Sequence, residues 1–232
     1  MNRIRLFLVR HGQTDYNLKH LLQGSGINSS LNQTGQNEAQ KLKNTGKLLM
    51  QTDKIYSSPL ERAVQTGEIV TGLNRDRNGP LQPCKVVTRF FIWMIFGSHK
   101  SFTMDSRLRE RGFGMHEGKP YDRNSISKLI QMSDEEAKSQ GIETIPEIKE
   151  RISSFIIDLC KENQEERTIF IFSHGAFIKN FVDYIMGCNA EIPDDQRSKL
   201  KMIPFNCHFH EIQISYDCNK KYFKIIRLNE GF

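Results

Sequence analysis

The chain lacks the marks of a secreted or membrane protein. Its five cysteines, Cys84, Cys160, Cys188, Cys207 and Cys218, contain no C-x-x-C pair, and an odd, scattered set argues against a closed disulfide framework. Reduced thiols are expected. A long apolar run is missing at the N-terminus, where Met-Asn-Arg-Ile-Arg-Leu-Phe-Leu-Val-Arg is too short and too interrupted by arginine for a signal-peptide core or a membrane span. A cytoplasmic address without membrane association is expected. The net charge of +6 comes from Lys and Arg interleaved with acids, with no long basic block or aromatic-basic stripe, so a nucleic-acid footprint is not expected either. A mild positive field instead favours small anionic substrates. Internal repeats and low-complexity tracts are absent.

What is present reads as one α/β domain over residues 1–232, with an insertion around 74–104. Ile4 to Val9 and Thr168 to Phe172 are short apolar runs with strand character, and both lead into His-Gly. Ala39, Leu42 and Leu49 follow helical spacing after Thr34, a candidate N-cap, predicting a helix from Thr34 to Met50. A short strand around Lys54 to Tyr56 precedes Ser57-Ser58-Pro59, which supplies cap residues and a proline suited to a first turn, with a helix through about Val70. Ile145, Ile148, Ile152, Phe155, Ile156 and Leu159 mark an amphipathic helix, and Ala176 to Met186 another. Alternation at Phe209, Ile212 and Ile214, and then around Tyr222 to Ile226, predicts two closing strands. The order predicts a three-layer αβα sandwich: a mainly parallel sheet with helices on both faces. Ligands in such sheets bind beyond the carboxyl ends of the strands, where both His-Gly dipeptides fall. The dense apolar run Arg89 to Phe96 is too short to span a bilayer and reads as a buried strand or cap, with a partner-binding or membrane-touching patch as the alternative.

Phosphoryl transfer asks for an in-line nucleophile, positive charge around the equatorial oxygens and an acid for the leaving group. Arg10-His11-Gly12 sets a guanidinium beside an imidazole at a strand end, with a glycine that lets the backbone approach an anion. Arg62 is expected in the first turn of its helix, where backbone amides also favour an anion. His174 faces His11 if the two apolar strands are neighbours, and the helix from Gly175 and Ala176 aims its N-terminus at the same point. Each signal is weak by itself; their conjunction on one sheet edge is what points to chemistry.

These residues match a known pattern. Leu8-Val9-Arg10-His11-Gly12-Gln13-Thr14, Asn17, Leu31-Asn32-Gln33-Thr34-Gly35, Ser57-Ser58-Pro59-Leu60-Glu61-Arg62-Ala63, Leu108-Arg109-Glu110-Arg111-Gly112, His116-Glu117-Gly118 and Ser173-His174-Gly175 occur in the order of the histidine phosphatase superfamily, whose fold is phosphoglycerate mutase-like. The chain resembles that superfamily across most of its length. The segments 106–119 and 173–184 are most similar to its fructose-2,6-bisphosphatase TIGAR branch. The resemblance implies a metal-independent phosphatase without a cofactor. In it His11 becomes phosphorylated, Arg10, Arg62 and His174 hold the phosphoryl group, and Glu110 protonates the leaving oxygen. It also implies that Asn17, Gln23, Gly24 and the amide of Ala176 line the phosphate and substrate pocket. The substrate is then a small phosphorylated metabolite, a bisphosphorylated sugar such as fructose 2,6-bisphosphate or a phosphorylated acid. Two departures bear on substrate choice: Gly141-Ile142-Glu143-Thr144 replaces the Gly-Gly-Glu-Ser/Thr of many relatives, and the apolar segment around Trp93 lengthens a region near the pocket mouth.

Alternatives stay open. Glu117 is a rival acid in the same stretch, although its place near a turn at Gly118 suits a structural role. A phosphoglycerate mutase would use the same site residues, but the family's mutases carry adjacent arginines where Arg123 stands alone. A relative that only binds phospholigands would keep the pocket without turnover. A metallohydrolase lacks support, because no H-x-x-x-H or H-E-x-x-H spacing occurs and Cys207-His208-Phe209-His210 alternates as a strand does. Oligomeric state has no signature in the sequence.

Overall fold

In a computed structural model, which describes residues 2–44, 52–76, 79–83, 101–163, 165–217 and 220–231, the first apolar run forms strand β1 (Asn2–Arg10) at the heart of a six-stranded sheet. The elements that follow are α1 (Asp15–Leu18), α2 (Gln33–Asn44), β2 (Lys54–Ser57), α3 (Glu61–Thr71), β3 (Leu73–Asp76), β4 (Gly79–Pro83) and β5 (Ser101–Met104). Then come α4 (Arg123–Gln131), α5 (Asp134–Ser139), α6 (Ile145–Glu162), β6 (Arg167–Ser173), α7 (Gly175–Gly187), β7 (Phe209–Tyr216) and β8 (Lys221–Glu230). The apolar run from Arg89 to Phe96, with Cys84 and Cys218, lies outside the described residues. None of the described helices is long and apolar enough to cross a membrane.

The sheet order is β5-β2-β6-β1-β7-β8. The first four strands pair in parallel and the last two add antiparallel, as the alternating tail requires. Side-chain alternation along β1 and β6 builds the layers. Ile4, Leu6, Leu8, Ile169 and Ile171 join a core with Ile152, Phe155 and Ile156 of α6 and Phe177 and Phe181 of α7. The residues between them, Phe7, Val9, Phe170 and Phe172, join a second core with Ala39 and Leu42 of α2 and Val70 of α3. Each fully buried Ile, Leu or Phe contributes about 1.5–3 kcal/mol relative to exposure. A separate third cluster, Leu22, Phe113, Leu129, Ala137 and Ile142, forms where the 111–142 segment folds over the carboxyl edge of the sheet.

Two predicted helix starts shift. The helix expected from Thr34 begins at Gln33, and Asn32, not Thr34, caps it: Asn32 Oδ1 accepts from the Gly35 amide at 2.9 Å. An asparagine carbonyl reaches the third helical amide as well as a threonine hydroxyl does, so both sites satisfy the pattern. The helix expected from Ser57-Ser58-Pro59 begins at Glu61, its cap residue Leu60 making no side-chain cap bond. Ser58 serves the site instead, and Ser57 donates its hydroxyl to the Ser58 carbonyl. The described part of α2 ends at Asn44, and the rest of the expected span to Met50 lies outside the described residues.

Candidate active site

β1 and β6 pair in parallel with Arg10 opposite Ser173. The next residues, His11 and His174, therefore leave the sheet side by side, with ring centroids 5.2 Å apart. The His11 amide donates to Ser173 O at 3.0 Å, extending the ladder to the site itself.

His11 is 2% exposed, and its Nδ1 lies 2.7 Å from the Gly12 carbonyl oxygen. A carbonyl can only accept, so Nδ1 carries the proton and Nε2 keeps the free lone pair. Burial, followed by the charges of Arg62 and Arg10, holds His11 well below the usual imidazole range. The ring is neutral at pH 7, with its Nε2 lone pair free. Gly12 sits where a Cβ would come within 2.5 Å of Gly35 O, so only glycine lets the α2 entrance close on this turn.

Arg62, in the first turn of α3, is wholly buried. Three of its five N–H donors orient it: Nε donates to His174 Nδ1 at 3.1 Å, Nη1 to Ile27 O at 2.6 Å and Nη2 to Gly24 O at 3.2 Å. Burial lowers it to about 10, which leaves it cationic at neutral pH. Because His174 Nδ1 accepts, the neutral ring carries its proton on Nε2, which donates to Ser58 Oγ at 2.7 Å. Burial first, and then Arg62, hold His174 well below the usual imidazole range. Arg10 donates from Nη1 to Pro204 O at 2.8 Å, while its Nε is a buried donor that has no protein partner. Such an orphan donor is the group a bound oxyanion would satisfy.

Glu110 sits at the N-terminus of α7. Its Oε1 accepts from the amides of Phe177 at 2.8 Å and Arg111 at 2.9 Å, and its Oε2 from Ala176 at 3.2 Å. The Ala176 amide, expected to face a phosphate, is thus held by the expected acid. Glu117 lies elsewhere: it accepts from the amides of Phe113 at 2.9 Å and Gly26 at 3.0 Å, pinning two loops together. Arg10, His11, Asn17, Gln23, Arg62, Glu110 and Ala176 all border one cavity of about 100 Å³. Asn17 also closes the capping box of α1 with Thr14. Gly24 contributes its carbonyl to Arg62 and is not part of the cavity wall.

Sequence reasoning missed three supports. Ser58 fixes the His174 tautomer. Thr66 Oγ1 accepts from the Gly12 amide at 3.0 Å, and Asn206 Nδ2 donates to the His11 carbonyl at 2.9 Å. The serine had a signal, its place beside Pro59, but read as a cap. Thr66 and Asn206 act across chain separations that leave no local pattern.

The profile of the histidine phosphatase superfamily (branch 1) matches residues 6–81 and 95–221. Fructose-2,6-bisphosphatase TIGAR B of Danio rerio is 33% identical over 162 residues, 69% of this chain and 55% of that protein, so the match spans about half the length of that relative. A broad-specificity phosphatase of Saccharomyces cerevisiae is 29% identical over 197 residues, 79% of this chain and 71% of the relative. Among solved structures, a phosphoglycerate mutase from Bacillus anthracis superposes with a TM-score of 0.69 at 19% identity, covering 99% of this chain and 94% of that one. A mycobacterial glucosyl-3-phosphoglycerate phosphatase gives 0.70 at 18%, with 97% and 98% covered. These two likenesses establish a shared phosphoglycerate mutase-like fold. With the family match running from β1 into β8, the chain belongs to the histidine phosphatase superfamily, branch 1.

Proposed function

We propose that the protein hydrolyses small phosphate monoesters through a phosphohistidine at Nε2 of His11, without a metal. The observation that carries this reading is the bond from His11 Nδ1 to Gly12 O, which turns a neutral imidazole's lone pair toward a cavity shared with Arg10, Arg62 and Glu110. In the first step Nε2 attacks phosphorus, the P–O ester bond breaks, and Glu110 in its protonated form gives its proton to the leaving oxygen, releasing an alcohol. In the second, water attacks phosphorus, the P–N bond breaks, the Glu110 carboxylate takes the water proton, and orthophosphate leaves. Arg10 and Arg62 supply the fixed positive charge, and His174 Nδ1 holds the Arg62 guanidinium in place.

The likeness to TIGAR proteins supports fructose 2,6-bisphosphate as a second, narrower reading of the substrate. A single-turnover experiment tests the chemistry. Brief incubation with a radiolabelled ester and a denaturing quench traps an acid-labile, alkali-stable phosphoenzyme, which is lost in His11→Ala together with at least about a thousandfold in kcat. A His11→Ala protein that releases phosphate as fast as wild type sinks the proposal. Interconversion of monophosphoglycerates without net phosphate release would instead identify a mutase.

A further inference from the structure

Beyond the charged groups at His11 and the amides Asn17 and Gln23, most of the cavity wall is apolar. Its other walls include Leu21, Leu22, Phe113, Tyr121, Ile126 and Ile203, and among the described residues that line it the only arginines are Arg10 and Arg62, with no lysine. Lys19 and Lys119 adjoin these segments in sequence but do not line the cavity. The apolar wall is built firmly. Leu21 pairs with Pro120 in an antiparallel bridge, the Leu22 amide donates to Lys119 O at 2.9 Å, and Tyr121 N donates to His20 O at 3.0 Å. Behind this strap lies the third hydrophobic cluster, against which Tyr121 and Ile126 pack. Ile203 closes the opposite side, 44% exposed and next to Pro204, whose carbonyl Arg10 holds.

Counting charge shows what this wall accepts. The two guanidiniums balance one phosphoryl dianion, and the Glu110 proton balances the leaving oxygen. A second phosphate, or the carboxylate of a phosphorylated acid, would meet a wall with no described cation, and a desolvated anion without a partner is strongly disfavoured. The larger cleft that also borders Glu110, about 460 Å³, brings Arg109, Lys138 and Arg151, and Glu143 and Glu147 offset two of the three. Arg151 is moreover already bound to Glu143 at 2.6 Å. An alkyl or aromatic group, by contrast, gains from contact with Leu21, Phe113, Tyr121 and Ile203.

We propose that the cavity selects phosphate monoesters of apolar or aromatic alcohols over bisphosphorylated sugars and phosphorylated acids, with Ile203 as a specificity-determining residue at its mouth. The proposal rests on the phosphohistidine reading and names the substrate class for that site. The test compares kcat/KM for 2-phenylethyl phosphate, 3-phosphoglycerate and fructose 2,6-bisphosphate in wild type and in Ile203→Lys. The first two are esters of simple alcohols, so leaving-group basicity does not decide between them. Wild type prefers 2-phenylethyl phosphate by about tenfold or more, and Ile203→Lys narrows that preference by about tenfold as its ammonium reaches the anionic substrates. Half-exposed Ile203 tolerates the change without loss of fold. Equal or faster turnover of either anionic substrate by wild type, or an unchanged ratio in Ile203→Lys, overturns the selectivity alone. Phosphate release from none of the three overturns the catalytic reading and the selectivity together.

Discussion

Arg62 Nε donates to Nδ1 of His174 at 3.1 Å, joining a buried cation and a buried imidazole into one unit at the ends of two parallel strands. The same guanidinium reaches the carbonyls of Ile27 and Gly24, so it holds the loop before α2 and the histidine after β6 in one geometry. Its planar fork, rather than its charge alone, does this.

Arg62→Lys keeps the charge and loses the fork. It lowers kcat/KM about a hundredfold, because one ammonium cannot satisfy His174 and both carbonyls while facing a phosphoryl group. Steady-state kinetics with an aryl phosphate checks this, alongside circular dichroism to establish the fold. Activity within about threefold of wild type would show that charge alone suffices.

Glu110→Gln separates acid catalysis from position. The amide oxygen can still accept from the Phe177 backbone, but it has no proton to give an alkoxide leaving group. The loss is about a hundredfold or more for alkyl esters and small for activated aryl esters, so rate against leaving-group pKa steepens. A uniform loss across the ester series would reassign Glu110 to structure, through its hold on the α7 amides.

Acid sensitivity follows from buried neutral imidazoles. His210 is buried, its Nδ1 accepts from the Asn229 amide at 3.0 Å, and burial lowers it to about 4. As pH falls below about 6.5 the unfolded chain binds the proton first and the folded protein only near 4, so this stability is complete above 6.5 and drains away between the two values. Between about pH 7 and pH 5 the loss from this one group is roughly 2 kcal/mol. His11 and His174, lowered by burial and Arg62, act in the same direction. Urea titrations at the two pH values detect the slope, and His210→Gln removes its share of it. A slope unchanged in that variant would mean that His210 titrates alike in both states.

The parts of the fold written in contiguous residues were legible. Apolar runs of strand length marked β1 and β6, and three- and four-residue spacing marked α6, because each pattern is set by its own element's burial. The pairing of β1 with β6, and hence the meeting of His11 with His174, could be posed only as a condition. Short polar residues were the hardest to read. Asn32 and Thr34 both suit a cap, and geometry chose Asn32; Ser58 also suits a cap, but its hydroxyl is taken by His174. The cavity wall was invisible from sequence, since Leu21, Phe113, Tyr121 and Ile203 come from separated segments with no common spacing. The hairpin β3–β4 and strand β5 carried too weak an alternation to be predicted.

The third hydrophobic cluster stands apart from the two cores that hold the sheet, and this division bears on how such a protein can change over evolutionary time. Residues that make and break bonds are anchored to strands whose inward side chains are buried in the two main cores, so drift there is punished by loss of the fold. The wall that meets the alcohol belongs to a small annex with its own interior. A lineage can therefore exchange one diet of esters for another by remodelling the annex, while the machinery for handling phosphorus is inherited intact.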